Sequence, residues 1–300
     1  MRQLRSVTLA TILLTGTGLG SLAHAGHVDL YGIDQFDSTT LYQISKTDGS
    51  EINSITITGI PGLAAGAEGL TLGPSGTTAY AIVKDDTDFN LATIDYTTGV
   101  GSVLGGMGDE YFSLALDGSG SLYTIAGLNA SNPYELSLVD TATGATSSSG
   151  LNLDRGSVGG WTDLGGEFEL AYNRNDGLLY YLHDVEDDAT LDVALVMDTI
   201  DLSGTSPAFT MNRIFLSGYG GGVPDGFSSA FTYDWQADRF YLADELGGFY
   251  RIALDGTLTQ GAFSSWPGPN NAGALAAVPL PSSLFLLVPG LVLLRRRGRL

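Results

Sequence analysis

The chain has 300 residues, no cysteine and a formal net charge of −20. Without cysteine there are no disulfides, thiolate zinc sites, iron–sulfur clusters or cysteine nucleophiles. Six of the 13 cations sit at the two ends, and the stretch between them sets seven cations against 33 acids, a charge of −26.

Such a surface repels nucleic acid and anionic lipid, and it attracts divalent cations and cationic partners. The plainer reading is an acidic coat that serves solubility. The 42 glycines, with frequent Thr, Ser and Tyr, suit many short strands joined by tight turns.

Residues 1–25 read as a secretory signal for the Sec pathway. Arg2 and Arg5 form the charged start, and Val7–Leu14 is a mainly apolar stretch that Gly and Leu extend to Leu22. Ala23-His24-Ala25 is a small-x-small cleavage site, which makes Gly26 the expected mature start.

From there the chain repeats itself. The unit is a small, apolar strand, a turn, an aromatic strand, a polar loop, a strand ending near Asp and a glycine turn. The first copy has Leu30-Tyr31-Gly32-Ile33, Leu41-Tyr42-Gln43-Ile44 and Gly49, but no leading strand. The second has Gly69-Leu70-Thr71-Leu72, Thr78–Val83, Leu91–Asp95 and Thr98-Gly99. The third has Ser113–Leu116, Leu122–Ile125, Leu136–Asp140 and Thr143-Gly144. The fourth has Leu170–Tyr172, Leu179–Leu182, Ile200-Asp201 and Ser203-Gly204. The fifth has Ala230–Tyr233, Phe240–Ala243, Tyr250–Ala253 and Asp255-Gly256.

The turn glycines recur at intervals of roughly 45 to 60 residues, one four-stranded blade per repeat. The expected fold is therefore all-β: a β-propeller over residues 26–277, with five four-stranded blades. Gly273–Ala277 would supply the strand missing from the first blade and so close the ring. Six blades are the alternative, because the long fourth repeat could hide extra strands. A two-sheet sandwich fits the repeat less well.

The recurring Leu-Tyr strand, Ile-Asp strand and Thr-Gly turn resemble those of the YVTN/quinoprotein-like broad class of bacterial extracellular propellers. That resemblance implies a fold and not an activity.

The chain ends with Val278-Pro279-Leu280-Pro281, an apolar stretch to Leu294, then Arg295-Arg296-Arg297-Gly298-Arg299. Cations closing an apolar segment stay on the cytoplasmic side. As a helix, residues 282–294 reach roughly 20 Å, short of a bilayer core of about 30 Å. Pro289 would kink that helix, which suits a temporary membrane stop.

This tail over residues 278–300 resembles the PEP-CTERM sorting domain in its VPLP-type variant. The resemblance implies an exosortase that cuts near the box and passes the protein to the cell surface, outer envelope or medium. It also implies association with exopolysaccharide and biofilm. Leu280 stands where the usual box has Glu, which leaves the exosortase subtype open.

No catalytic motif appears between these signals. Only His27 and His183 follow the signal, so a multi-histidine metal site is excluded. There is no Gly-x-Ser-x-Gly elbow, and Gly218–Gly222 lacks the Lys-Ser/Thr of a phosphate loop.

The loops between second and third strands are acidic. Asp85, Asp86 and Asp88 form one run, and Asp184, Glu186, Asp187 and Asp188 another. Asp34, Asp37, Asp244 and Glu245 fall in equivalent loops, and Asp109, Glu110, Asp163, Glu167 and Asp225 in inter-blade loops. Carboxylates on loops can bind Ca²⁺, although neither run has an EF-hand register.

Glu68 and Glu169, at or just before innermost strands, could point into a channel mouth, with Asn271 nearby. By resemblance of position this is where propeller lactonases hold Ca²⁺, so a Ca²⁺-dependent hydrolase is the alternative to a non-enzymatic surface or matrix binding protein. Tyr80, Tyr123, Tyr180, Tyr181 and Tyr241 recur at one blade position, which marks them for packing between blades. Trp161, Trp235 and Trp266 lie in or beside turns, where they pack between blades or stack on sugar rings.

Overall fold

The computed structural model describes residues 30–34, 39–61, 66–73, 77–85, 88–164, 168–217, 229–244, 248–260 and 272–277. The signal residues Ala23, Ala25 and Gly26 and the tail residues Val278–Pro281 and Arg295–Arg297 lie outside them. So do His27, Asp37, Asp86, Glu167, Gly218–Gly222, Asp225, Glu245, Trp266 and Asn271. Among the described residues no helix is long and apolar enough to cross a membrane.

The strands run in chain order. The first sheet begins with β1 (Leu30–Asp34), β2 (Thr40–Ile44) and β3 (Glu51–Thr56). The second holds β4 (Ala67–Leu72), β5 (Thr78–Asp85), β6 (Asp88–Asp95) and β7 (Gly101–Gly106). The third holds β8 (Tyr111–Leu116), β9 (Leu122–Ala126), β10 (Glu135–Val139) and β11 (Thr146–Asn152).

The fourth holds β12 (Ser157–Val158), β13 (Trp161–Asp163), β14 (Glu169–Asn173), β15 (Leu178–Asp187), β16 (Val193–Asp201) and β17 (Ala208–Phe215). The fifth holds β18 (Ser229–Asp234), β19 (Arg239–Asp244), β20 (Phe249–Ile252) and β21 (Leu258–Gln260). The last strand, β22 (Ala272–Ala277), returns to the first sheet and pairs antiparallel with β1, Leu30 opposite Ala277.

Every strand pairing within these sheets is antiparallel. The innermost strands touch one another in a closed order: β22, β4, β8, β14, β18 and back to β22. This is a propeller-like arrangement of small sheets around a central channel.

Small residues line the inside because backbones crowd there. A Cβ on Gly69 of β4 would stand 2.8 Å from the Ser113 backbone of β8. The outermost strands β3 (Glu51-Ile52-Asn53-Ser54) and β11 (Thr146–Gly150) are largely polar and exposed.

The core is divided among the gaps between neighbouring sheets. Ile82 and Leu91 of the second sheet meet Leu114 and Leu122 of the third, with Tyr80 packed against them. Tyr123 and Leu136 meet Leu170 and Tyr181 of the fourth. Tyr180 and Met197 meet Phe231 and Phe240 of the fifth. Tyr241 and Phe249 meet Leu30, Tyr42 and Leu275 of the first. The five recurrent tyrosines therefore pack between sheets. A fully buried side chain of this size contributes about 1.5–3 kcal/mol, so each of these four gaps helps to hold the ring.

Two expectations need correction. Four sheets have four strands, but the fourth has six, so the ring is not built of five identical units. The long fourth repeat does contain extra strands, yet they make no separate sheet. β13 pairs with the last residues of β15 while β14 pairs with its first, so the ten-residue β15 has room for both along one edge. For the same reason Asp184, Glu186 and Asp187 lie in strand β15, and not in a loop. Asp34 and Asp244 likewise end strands.

Candidate functional site

Antiparallel order puts the inter-sheet connections and the second-to-third connections of each sheet on one face, here the loop face. The first and third turns lie on the opposite, turn face. Three groups of polar residues follow from this arrangement.

The first is the acidic loop face. Asp85 and Asp88 are paired Cα partners at the end of the β5–β6 hairpin. Asp88 also lines a pocket of about 520 Å³ with Asn90, Asp109, Glu110 and Asn129. Local backbone already occupies two of these carboxylates, Asp109 and Glu110. Asp109 accepts from the Ser131 N–H at 2.7 Å and from the Glu110 N–H at 3.0 Å, which holds it below the usual carboxylate range. Glu110 accepts from the Asn129 N–H at 2.8 Å.

In the second acidic run, strand alternation and turn capping separate the side chains. Asp187 accepts from the Thr190 and Ala189 N–H groups and is held low by them. Asp188 accepts from the hydroxyls of Thr162 and Ser157, which also lower it and pin the β12–β13 hairpin. Glu186 is half-buried opposite Thr162, and Asp184 is buried. Among the described residues, no group of three or more His, Asp and Glu is placed to hold a metal ion.

Glu68 sits half-buried where the pairing of β4 shifts register between Ala67 and Gly69. Glu169 opens β14 and is buried. It accepts from Ser113 Oγ at 2.8 Å, and that oxygen in turn accepts from the Leu170 N–H at 2.8 Å. Ser113 holds a positive φ of 55° to do this. Glu169 thus ties β8 to β14.

The second group is a buried ion network within the fourth sheet, joined by Arg155 of the β11–β12 connection, that the sequence did not disclose. Asp198 of β16 is 0% exposed and meets Arg213 of β17 at 3.0 Å, Arg155 at 3.2 Å and Nε2 of His183 at 3.2 Å. Arg213 also reaches Asp163 of β13 at 2.8 Å. Burial pushes the Asp198 carboxyl up, but hydrogen bonds from His183 and Arg213 outweigh it and hold the group at about 2.

His183 stacks on Tyr181 with ring centres 4.2 Å apart, and Arg155 lies over Phe209. Among the described residues His183 Nδ1 and Arg213 Nη1 are buried without a hydrogen-bond partner. These residues come from the β11–β12 connection and strands β13, β15, β16 and β17, so no spacing in the sequence announces them. The one available signal was scarcity, because a chain with seven internal cations has reason for each.

The third group surrounds the turn-face mouth of the channel. The C-terminal ends of the five innermost strands enclose a cavity of about 350 Å³. Its wall includes Thr71, Tyr172, Arg174, Thr232 and Trp235. The Arg174 guanidinium lies over the Trp235 ring at 5.7 Å. Asn175 fixes that corner by donating to the Trp235 carbonyl at 3.2 Å and the Tyr233 hydroxyl at 2.9 Å. Of the tryptophans, Trp161 packs on Phe215 within the fourth sheet, with ring centres 4.9 Å apart.

No protein-family model matches the chain, and no curated protein matches it. Solved structures do resemble it. A crystal structure of a nidogen/laminin complex aligns over 84% of this chain and 98% of its own, at 8% identity and a TM-score of 0.48. A protein of unknown function from Bacteroides caccae aligns over 83% and 98%, at 11% identity and 0.46. A putative TolB from Agrobacterium tumefaciens aligns over 84% and 91%, at 12% identity and 0.41. At these levels the fold rests on the strand pairings themselves.

Proposed function

We propose that the protein is an exported, surface-displayed propeller that binds an envelope or exopolysaccharide component without catalysing a reaction. The six-stranded sheet counts as one blade, which makes five, of the YVTN/quinoprotein-like kind. The leader directs export, and an exosortase acts on the Pro279-Leu280-Pro281 tail, which holds the inner membrane only in transit.

One observation carries this reading: Leu30 and Ala277 are direct partners in the β1–β22 pair. The first residue of β1 and the last of β22 therefore lie side by side at the turn face of the ring. A tail fixed to the envelope would hold that face inward and turn the acidic loop face outward, where Ca²⁺ could bridge it to a partner. Carboxylates already capped by turn N–H groups suit such a face to broad charge complementarity more than to a tight metal cage.

The test is display of the full chain in its exporting host. Protease shaving of intact cells should release propeller fragments. A double Pro279→Ala, Pro281→Ala variant should stay cell-associated and protected. Equal shaving of both proteins would overturn the sorting part. Failure of purified residues 26–277 to bind exopolysaccharide or envelope fractions, with and without Ca²⁺, would overturn the binding part.

A further inference from the structure

The turn-face cavity has a chemistry unlike the rest of the surface. Its wall carries a half-buried indole, the half-buried Tyr172 ring and the hydroxyls of Thr71 and Thr232. Arg174 makes no ion pair with a described residue, and its flat face is spent on Trp235. Its edge N–H groups are left to donate. Asn175 locks Trp235 from behind through the backbone, so the corner is built before any ligand arrives.

Aromatic faces beside fixed donors and hydroxyls suit a sugar ring. Its C–H face packs on the Tyr172 ring and the part of the indole left uncovered, while its hydroxyls pair with the surrounding polar groups.

Charge decides which sugar. The first turns on this face carry Asp117, Asp176, Asp234 and Asp238 against Arg174 and Arg239, and the neighbouring β2–β3 turn adds Lys46. Lys46 pairs with Asp234 at 2.7 Å. Asp117 caps the Ser119 and Ser121 N–H groups, and Asp176 accepts from Asn173 and Tyr180. Asp238 accepts from Tyr233 and Asn175. The local balance stays negative, which disfavours a carboxylated or sulfated unit.

We infer that the turn-face mouth of the channel binds the end of a neutral saccharide chain, with Trp235 and Tyr172 as the stacking surface and Arg174 as the directing donor. The volume accommodates one or two rings. This site lies on the face opposite the acidic loops, and it stands whether or not the tail is a sorting signal.

The experiment titrates residues 26–277 with maltose, cellobiose, lactose, mannobiose and digalacturonate. It follows tryptophan fluorescence and calorimetric heat. At least one neutral disaccharide should saturate with a dissociation constant on the order of 1 mM. Trp235→Ala should abolish that binding, and Arg174→Met should weaken it about tenfold, both with an unchanged melting temperature. If Trp235→Ala lowers the melting temperature, Trp235→Phe is the replacement, and it should bind with weaker heat at unaltered stability. Saturation by digalacturonate alone, saturation by none of the five, or wild-type binding in the Trp235 variants would overturn the inference.

Discussion

Gly144 and Gly105 lie against each other across two sheets. A Cβ on Gly144 would stand 2.5 Å from the Gly105 carbonyl oxygen. Gly144 is the turn glycine after β10, and Gly105 lies in β7, the outermost strand of the preceding sheet. Gly256 meets the Phe215 carbonyl in the same way, with 2.5 Å left for a Cβ, and Gly99 meets the Thr56 carbonyl more closely still. All three turn glycines have positive φ. Backbone hydrogen bonds complete two of these seams, Thr58 with Gly99 and Gly101, and Ser217 with Gly256 and Leu258. The repeated glycine thus welds neighbouring sheets at their outer rim.

Replacing Gly99, Gly144 or Gly256 by Ala should each cost about 1–3 kcal/mol from backbone strain alone, and more where the seam must open. Gly204 has no positive φ, and its nearest contact is Ser206 at 3.3 Å. Gly204→Ala should stay within about 0.5 kcal/mol of wild type. Urea unfolding of the four variants checks the contrast.

The Asp198 network should behave as a unit. Asp198→Asn leaves Arg155 and Arg213 without their shared anion and should destabilise by about 3–5 kcal/mol. Arg213→Met should cost a similar amount, because it removes the cation that Asp198 and Asp163 share. The double variant should lose clearly less than the two single losses combined. A double-mutant cycle by denaturant unfolding measures this, and simple additivity would show that the two side chains do not act together.

Acid should weaken the fold through its turns. Asp95, Asp140, Asp201 and Asp255 each accept turn N–H groups or hydroxyls and are held below their usual value, as are Asp109, Asp187 and Asp188. A carboxylate lower in the folded than in the unfolded state contributes stability above its unfolded value of 3.8. That contribution fades as pH falls through the folded value. The urea midpoint should therefore be nearly flat from about pH 7 to pH 5 and drop between about pH 4 and pH 2. A rising midpoint over that lower range would contradict the capping roles.

Closure by β22 should be indispensable. Ala274, Leu275 and Ala276 are 1–2% exposed, and Ala277 N donates to Thr232 Oγ1 of the fifth sheet at 3.2 Å. A chain of residues 26–277 should melt cooperatively. A chain of residues 26–271 should lose that transition and bind a hydrophobic dye, since both β1 and the β18–β4 gap lose their neighbour. Circular dichroism melts of the two chains decide it.

Much of this architecture was legible beforehand. Alternating Leu-Tyr strands, Asp-capped turns and recurring glycines are local devices, so each repeat announces itself within a few residues. Even closure could be inferred, because Leu30–Ile33 and Leu41–Ile44 lacked a leading strand and Gly273–Ala277 offered one. Asp184–Asp188 was misread because charge suggests a loop, whereas pairing with β13 and β16 keeps most of that run extended.

What the sequence by itself determined is the repeat, its β character, the acidic surplus and the pattern of its two ends. Only the tertiary structure decided which residues meet. It spent Asp109, Glu110 and Asp187 on backbone N–H groups, gathered Arg155, Asp163, His183, Asp198 and Arg213 into one buried network, and set Arg174 over Trp235 at a channel mouth. The reason is physical: a turn or a strand is written in neighbouring residues, while a site in a ring of sheets is assembled from residues far apart in the chain, such as Lys46 and Asp234. Their meeting depends on how every sheet between them is stacked.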